Sequence, residues 1–150
     1  MRRSGIHAAV VDASVAAKWV LSEEHSEAAL GLLRRCDELH APAHWLAEAA
    51  NAARQRCSRQ LITPAEAEEC ADILASAPIR VTPLAPLMRR AMLEALQLSV
   101  TVYDGLYVAL AAQNDLPFVT ADRRLFEAVS RRPNPVDIRW IGDPWDEPDA

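Results

Sequence analysis

The sequence is poor in glycine and cysteine, and each shortage excludes a class of protein. Its 150 residues hold four glycines and no Gly-rich phosphate loop, which argues against a nicotinamide-binding domain. Its three cysteines are odd in number and include no C-x-x-C pair, so neither a disulfide framework nor a zinc site is indicated. We interpret them as small buried hydrophobic residues in a reducing compartment.

Long apolar runs are also missing. No segment approaches the roughly 20 apolar residues that a membrane span needs. Arg2 and Arg3 precede an apolar stretch, as in a secretory signal, but Asp12 and Lys18 interrupt that stretch and no small-residue cleavage site follows it. We therefore expect a cytoplasmic protein without membrane contact.

Basic charge is scarce and unusual in kind. The net charge is −5, and Lys18 is the only lysine among 16 basic residues. The last eight residues, D-P-W-D-E-P-D-A, hold four acids and no base, so without them the net charge is −1. A near-neutral body lacks the strongly basic footprint of a bulk nucleic-acid-binding domain. Arginine, however, binds phosphate bidentately, so the arginines stay compatible with phosphate contacts.

Short apolar runs alternate with helical patterns along the whole chain. The predicted strands are Ile6–Val11, Ile79–Thr82, Phe118–Thr120 and Val136–Ile141. Helical patterns are predicted over residues 13–21, 22–37, 44–59, 64–77, 84–96, 102–114 and 123–129, with His40–Pro42 as a brief extended connection. This alternation predicts a single α/β domain, with a mainly parallel central β-sheet flanked by α-helices. We assign it to residues 1–142 and treat 143–150 as a loose acidic tail.

Two local patterns make finer predictions. Thr63, Pro64 and Glu66 form a helix start, with Thr63 as the cap and Glu66 reaching back in a capping box. Further on, apolar residues recur at helical spacing, and we expect this stripe to face the core. Its members are Leu84, Leu87, Met88, Ala91, Met92, Ala95 and Leu96.

Four carboxylates occupy positions that favour one shared site. Asp12 and Asp122 each follow a predicted strand, and in open parallel sheets ligands bind at the carboxyl ends of the strands. Asp104 lies in the first turn of an almost wholly apolar helix, and Glu48 lies on an alanine-rich helix without Lys or Arg three or four residues away. Each also has an ordinary explanation: helix capping for Asp12 and Asp122, the helix dipole for Asp104, and a solvated face for Glu48.

A bound divalent cation explains why four acids would converge without bases. Together they would repel one another and raise their own pKa values. An all-oxygen set suits Mg²⁺, or Mn²⁺, better than Zn²⁺, and such an ion at a sheet edge activates water and neutralises charge on phosphate esters. We expect Ser14 and Thr120 to hydrogen-bond the ligand carboxylates or water from behind.

Four pieces of sequence hold these acids: V-V-D-A-S-V (Val10–Val15), A-P-x-x-W-L-A-E-A-A-N-A (Ala41–Ala52), Y-D-G-L-Y-V-A-L-A (Tyr103–Ala111) and L-P-F-V-T-A-D-R-R-L (Leu116–Leu125). In order and spacing they resemble a PIN domain, and within that family the VapC-type toxin ribonucleases of type II toxin–antitoxin pairs. The resemblance covers about Ile6 to Ile141.

The resemblance implies a Mg²⁺-dependent endoribonuclease with Asp12, Glu48, Asp104 and Asp122 as its catalytic and metal-binding set. It also implies a homodimer, and a small cognate antitoxin that blocks the site. Candidates for RNA contact are Arg54, Arg56 and Arg59, or Arg123 and Arg124. A metal-dependent phosphatase and a catalytically inactive PIN-like binding module are the alternatives; a phosphatase with an aspartyl nucleophile usually has a second acid where this chain has Ser14.

Overall fold

A five-stranded, all-parallel β-sheet forms the centre of the protein. The computed structural model describes residues 6–133 and 136–144. The strands are β1 (Ala8–Val11), β2 (Glu38–Pro42), β3 (Ile79–Thr82), β4 (Phe118–Thr120) and β5 (Ile138–Trp140), in the spatial order β3-β2-β1-β4-β5. The prediction of an α/β fold with a mainly parallel sheet is confirmed.

Seven α-helices connect and flank the strands. They are α1 (Ala13–Ala16), α2 (Ser26–Arg35), α3 (Trp45–Ser58), α4 (Pro64–Ala75), α5 (Met88–Leu98), α6 (Val102–Asn114) and α7 (Arg123–Ser130) among the described residues. The helix predicted over residues 13–21 is shorter than expected, because the chain tightens into a 3-10 turn at Ala17–Trp19. The predicted capping box of α4 is confirmed, with Thr63 accepting from the Glu66 N–H and Glu66 accepting from the Thr63 N–H.

The central strands β1 and β4 are almost entirely buried. Val10 pairs with Phe118 and Val11 with Val119, and none of these four side chains is exposed. Apolar runs without alternation are what a strand covered on both faces requires. The two strands therefore bring the residues that follow them, Asp12 and Asp122, to the same edge of the sheet.

The interpretation of His40–Pro42 as a connecting segment was wrong. These residues belong to β2, which begins at Glu38 and pairs with β1 on one side and β3 on the other. Leu39 and Ala41 are buried while Glu38 and His40 are partly exposed. The strand lacks a continuous apolar run, and it ends in Pro42, a residue type that is rare within central strands.

Helix α6 runs through the core and packs very closely against α5. Seven consecutive residues, 105–111, are buried. A Cβ added at Gly105 would lie 2.4 Å from the backbone oxygen of Ala91, so only glycine permits this approach. This close packing of α6 against α5 fixes the position of the preceding residue, Asp104, relative to the core.

The prediction that the whole stripe of residues 84–96 faces the core was wrong. Leu87, Ala91 and Ala95 are buried against α6. Met88, Met92 and Leu96 follow one another at four-residue spacing and are 39%, 46% and 73% exposed, and Leu93 beside them is 46% exposed. Helix α5 therefore has two apolar faces, of which one is uncovered in a single chain.

The cysteines follow their predicted role in part. Cys70 is buried, and Cys36 and Cys57 are partly exposed, all three as free thiols.

Within the described ranges, no single helix is long and apolar enough to cross a bilayer. The segments Ala85–Leu98 and Val102–Asn114 pass by length and composition only as a pair bent by 113°. The predicted acidic tail lies almost wholly outside the described residues.

Candidate metal and catalytic site

The site is built on helix starts at the carboxyl end of the sheet. Asp12 follows β1 and caps α1, and Asp122 follows β4 and caps α7. Glu48 lies in the first turn of α3 and Asp104 in the first turn of α6. Helix N-termini favour negative charge, so the backbone offsets part of the repulsion among these acids. Asp12 and Asp122 therefore each cap a helix and also belong to the candidate site.

Asp12 is the most enclosed of the four carboxylates, with 6% of its surface exposed. Its Oδ2 accepts a hydrogen bond from the Thr120 hydroxyl at 2.7 Å, and its Oδ1 accepts from the Ser14 N–H at 3.4 Å. Its pKa is raised from 3.8 to about 6 by burial, which is the largest effect, and by the charges of Asp104 and Glu48, against the lowering effect of hydrogen bonding to Thr120 and Ser14. The negative charges of all three residues therefore act on one another.

Asp104 experiences the other acids in the same way. Burial raises the pKa of its carboxyl first, the charge of Asp122 next, and the charge of Glu48 also contributes, while Thr101 and His44 lower it. The N-cap of α6, Thr101, accepts a hydrogen bond from the Asp104 N–H at 3.1 Å. The electrostatic contacts thus join all four predicted acids into one cluster.

Thr120 and Ser14 support this cluster from behind. The Thr120 hydroxyl donates to Asp12 and accepts from the Asp122 N–H at 3.0 Å, so one side chain links two of the acids. The Ser14 hydroxyl accepts from the Ala121 N–H at 3.1 Å and ties α1 to the end of β4. Asp122 is held in turn by the N–H groups of Arg124 and Leu125, which donate to its Oδ1 at 3.0 and 3.2 Å.

Two residues at the site escaped sequence reasoning, and both contact Glu48. The hydroxyl of Tyr107 donates to Glu48 Oε1 at 2.8 Å, and His44 Nε2 lies 3.0 Å from the same oxygen. Glu48 therefore has a partner four residues away on its own helix, which a search for Lys and Arg alone overlooked. Tyr107 lies three residues after Asp104, hence on the same face of α6, and that spacing was the available signal.

The hydrogen bonds of both residues are assigned by their surroundings. His44 Nε2 also lies 3.1 Å from the Tyr103 carbonyl oxygen, while its Nδ1 is buried without a partner. Since both neighbours of Nε2 are acceptors, we assign the ring proton to Nε2. Tyr107 is fully buried and stacks on Phe118 with ring centroids 5.8 Å apart. Burial and the charges of Asp12 and Glu48 raise its pKa far above the ordinary range, so its hydroxyl remains a donor.

The donor set fits a hard divalent cation that keeps most of its water. In the part of the chain that the structure describes, the carboxylates of the cluster have no lysine or arginine partner, and the charges of neighbouring acids help to raise the pKa values of Asp12 and Asp104. Among the described residues, no three His, Cys, Asp or Glu side chains are grouped so that they could enclose a metal ion directly. Mg²⁺ typically uses one or two carboxylates and several waters, so the open spacing of the acids suits such an ion.

Comparisons with known proteins agree with this fold and match most of the length of the chain. The PIN domain family model matches residues 9–132. Ribonuclease VapC12 of Mycobacterium tuberculosis is 39% identical over 119 residues, covering 79% of this chain and 90% of the relative. Ribonuclease VapC3 of Pyrobaculum aerophilum is 35% identical over 120 residues, covering 79% of this chain and 92% of the relative.

Solved structures share the fold at low sequence identity. The M. tuberculosis toxin VapC20, which cleaves the sarcin–ricin loop, superposes with a TM-score of 0.64 and 19% identity, covering 87% of this chain and 98% of that one. A chain of a toxin–antitoxin complex from Klebsiella pneumoniae superposes with a TM-score of 0.58 and 11% identity, covering 79% and 89%. At these identities the likeness concerns the fold alone.

Proposed function

Because this chain belongs to the PIN-domain family, we propose that it is a metal-dependent endoribonuclease and the toxin of a toxin–antitoxin pair. The observation that carries the proposal is the cluster of Asp12, Glu48, Asp104 and Asp122 at four helix starts. Burial, and after it the charges of the neighbouring acids, raise the pKa values of Asp12 and Asp104. Relatives more than a third identical over most of their length are ribonucleases of the VapC type. An RNA substrate is the natural extension of that likeness.

The four carboxylates are the residues that would hold the cation, for which Mg²⁺ is the first choice and Mn²⁺ the second. When bound, such an ion supplies a hydroxide-like nucleophile and offsets negative charge on the phosphodiester. The protein's own part is to fix its acids. Thr120 orients Asp12 by donating to Oδ2, and Tyr107 orients Glu48 by donating to Oε1.

Two partners belong to the proposal. The uncovered apolar face of α5, with Met88, Met92 and Leu96, supports a homodimer, since a monomer gains nothing from an exposed apolar row of this kind. A fold shared with a chain of a toxin–antitoxin complex, together with the VapC-type relatives, supports a small cognate antitoxin. An RNA substrate and three free thiols support a cytoplasmic location for the active protein.

The test measures cleavage of a labelled single-stranded RNA by protein that has first been treated with a chelator. We expect no cleavage in EDTA and recovery of cleavage with Mg²⁺ or Mn²⁺. Asp104→Asn, purified in parallel to exclude a contaminating nuclease, should lose cleavage while keeping its fold by circular dichroism. Full activity of Asp12→Asn or Asp104→Asn, or full activity in EDTA, would contradict the proposal.

The same preparation decides between the proposal and its main alternative. Release of phosphate from a small phosphomonoester, without RNA cleavage, would favour a phosphatase. Inactivity on both substrates with every divalent ion, in protein that binds RNA, would favour a non-catalytic binding module. Inhibition of cleavage by the product of the reading frame next to the gene would establish the antitoxin partner.

A further inference from the structure

The guanidinium of Arg123 lies over an aromatic surface at the start of the helix that follows Asp122. This arginine is the first residue of α7 and directly follows Asp122. The centre of its guanidinium lies 4.6 Å from the ring centroid of Trp140 and 6.0 Å from that of Phe126. A guanidinium stacked in this way is attracted to the ring face and keeps its N–H donors free along its edge.

Trp140 is itself firmly placed. It packs edge-on against His25, with centroids 5.8 Å apart, and against Phe126 at 6.3 Å. A Cβ added at Gly142 would lie 2.6 Å from the indole Nε1, so the chain leaves no room for another side chain there. In the sheet Trp140 is the register partner of Thr120. The ring therefore lies at the same sheet edge as the residue that holds Asp12 and Asp122.

No ion pair within residues 6–133 and 136–144 neutralises the charge of Arg123. Several other arginines have acidic partners: Arg56 pairs with Glu23, Arg80 with Glu38, and Arg90 and Arg132 with the buried Glu94. No ion pair among the described residues involves Arg123, whose surface is exposed. Arg123 directly follows Asp122 in sequence, yet among the described residues its guanidinium lies over the Trp140 ring and forms no ion pair with that carboxylate.

We propose that Arg123 is a substrate-binding residue that contacts a phosphate of the RNA next to the acidic cluster, with Trp140 as the residue that positions it. The inference rests on the proposed ribonuclease function and names a residue for RNA contact. RNA carries a negative charge at every phosphate, and the acidic cluster repels it until the cation is present. A fixed, unpaired cation at the edge of the cluster attracts the strand without cancelling the charge that the metal needs.

The test measures RNA binding without catalysis. A fluorescein-labelled single-stranded RNA of mixed sequence is titrated with protein in EDTA at several salt concentrations, and anisotropy gives the affinity. We expect Arg123→Ala to weaken binding about tenfold and to lower the slope of log affinity against log salt by about 0.7, the value for one phosphate contact in a single strand. Arg123→Lys, which keeps the charge but not the planar stack, should lie between.

Arg35→Ala is the matched control, because Arg35 is also exposed and without an ion pair among the described residues but ends α2, just before the amino end of β2 and hence at the opposite edge of the sheet. It should leave affinity and slope unchanged. Equal affinity and slope in wild type and Arg123→Ala, or an equal loss in Arg35→Ala, would overturn the inference. Wild-type protein that cleaves no RNA with either metal would instead contradict the proposed function.

The positioning role of Trp140 has its own readout. Trp140→Leu should weaken RNA binding, and the double variant Arg123→Ala, Trp140→Leu should bind no more weakly than Arg123→Ala alone, since Trp140 acts through Arg123. Trp140→Phe keeps an aromatic face and should keep most of the affinity. Additive losses in the double variant would show that Trp140 does not act through Arg123.

Discussion

Thr120 donates a hydrogen bond to Oδ2 of Asp12 over 2.7 Å, across a sequence separation of 108 residues. The same hydroxyl accepts from the N–H of Asp122. Thr120→Val removes both bonds at nearly constant volume. Because the bond lowers the pKa of Asp12, the variant should have a higher pKa there, and its ribonuclease activity should fall about tenfold near neutral pH.

The measurement for Thr120 is the pH profile of kcat/KM with Mg²⁺. The acidic limb of the profile should move to higher pH in Thr120→Val, and activity should recover in part as the pH rises. Loss of two buried hydrogen bonds should also lower the free energy of unfolding by about 1–3 kcal/mol. Thr120→Ser keeps the hydroxyl and should keep the wild-type profile; a shifted profile in that control would argue against the hydrogen bond as the cause.

Asp12 should make the metal-free protein less stable as the pH rises. Its pKa in the folded state is about 6, above the ordinary 3.8, so between these values the native state binds more protons than the unfolded state. The free energy of unfolding then falls as the pH rises through this window, by about 3 kcal/mol for this group. In EDTA, Asp12→Asn should therefore be more stable than wild type at about pH 7.5 but not at about pH 4, as measured by urea unfolding, while it lacks ribonuclease activity.

Tyr107→Phe should impair catalysis more than folding. The variant removes the hydroxyl that donates to Glu48 and keeps the ring that stacks on Phe118. We expect a loss of kcat of about tenfold, with a change in unfolding free energy of about 1 kcal/mol. Tyr103→Phe is the control, because that side chain is 63% exposed. Equal kinetics in the two variants would remove the positioning role assigned to Tyr107.

Two glycines within helices should respond in opposite directions to alanine. At Gly105 the added Cβ would lie 2.4 Å from the Ala91 oxygen, whereas at Gly31 nothing lies within 4 Å. Gly105→Ala should lower the free energy of unfolding by about 1–3 kcal/mol through overpacking, and activity should fall because Asp104 is displaced with α6. Gly31→Ala should raise the free energy of unfolding by about 0.5–1 kcal/mol. Thermal and urea unfolding of both variants check the contrast.

The uncovered face of α5 should control the oligomeric state. Leu96→Glu places a charge in the apolar row formed with Met88 and Met92, so a homodimer that uses this face should dissociate. Leu61→Glu is the matched control, since Leu61 is 62% exposed in the connection between α3 and α4. Light scattering after size exclusion gives the mass. A wild-type monomer, or a Leu96→Glu dimer, would contradict this assignment of the interface.

The sequence predicts those parts of the fold where one physical signal dominates. Buried runs such as Val10–Val11 and Phe118–Val119 have a single interpretation, and the capping box at Thr63 is local chemistry. Strand β2 was missed because it holds no continuous apolar run and its last residue is proline, which is rare within central strands. The outer face of α5 was wrongly predicted to face the core, because apolar spacing does not show whether a helix face is covered by its own chain or by another one.

The acidic cluster shows the same division. The four acids were predicted to share a site because of their combination of strand ends, helix starts and apolar surroundings, since each alone has an ordinary explanation. The contact of Glu48 with Tyr107 depends on how α3 meets α6, and the position of Trp140 beside Arg123 depends on the pairing of β4 with β5. Such contacts join residues that are far apart in sequence, and sequence spacing alone does not show which of these residues lie close together in the fold.

The placement of Glu48, Asp104 and Asp122 at the starts of three helices has a consequence for how the protein acquires its ion. Each carboxylate is already compensated in part by a backbone terminus, so the folded chain tolerates the acids before any cation arrives. Folding and metal loading are then separate events, unlike those of small zinc domains that collapse only around their metal. A chelator should switch such a protein off without denaturing it, and returning the ion should switch it on again.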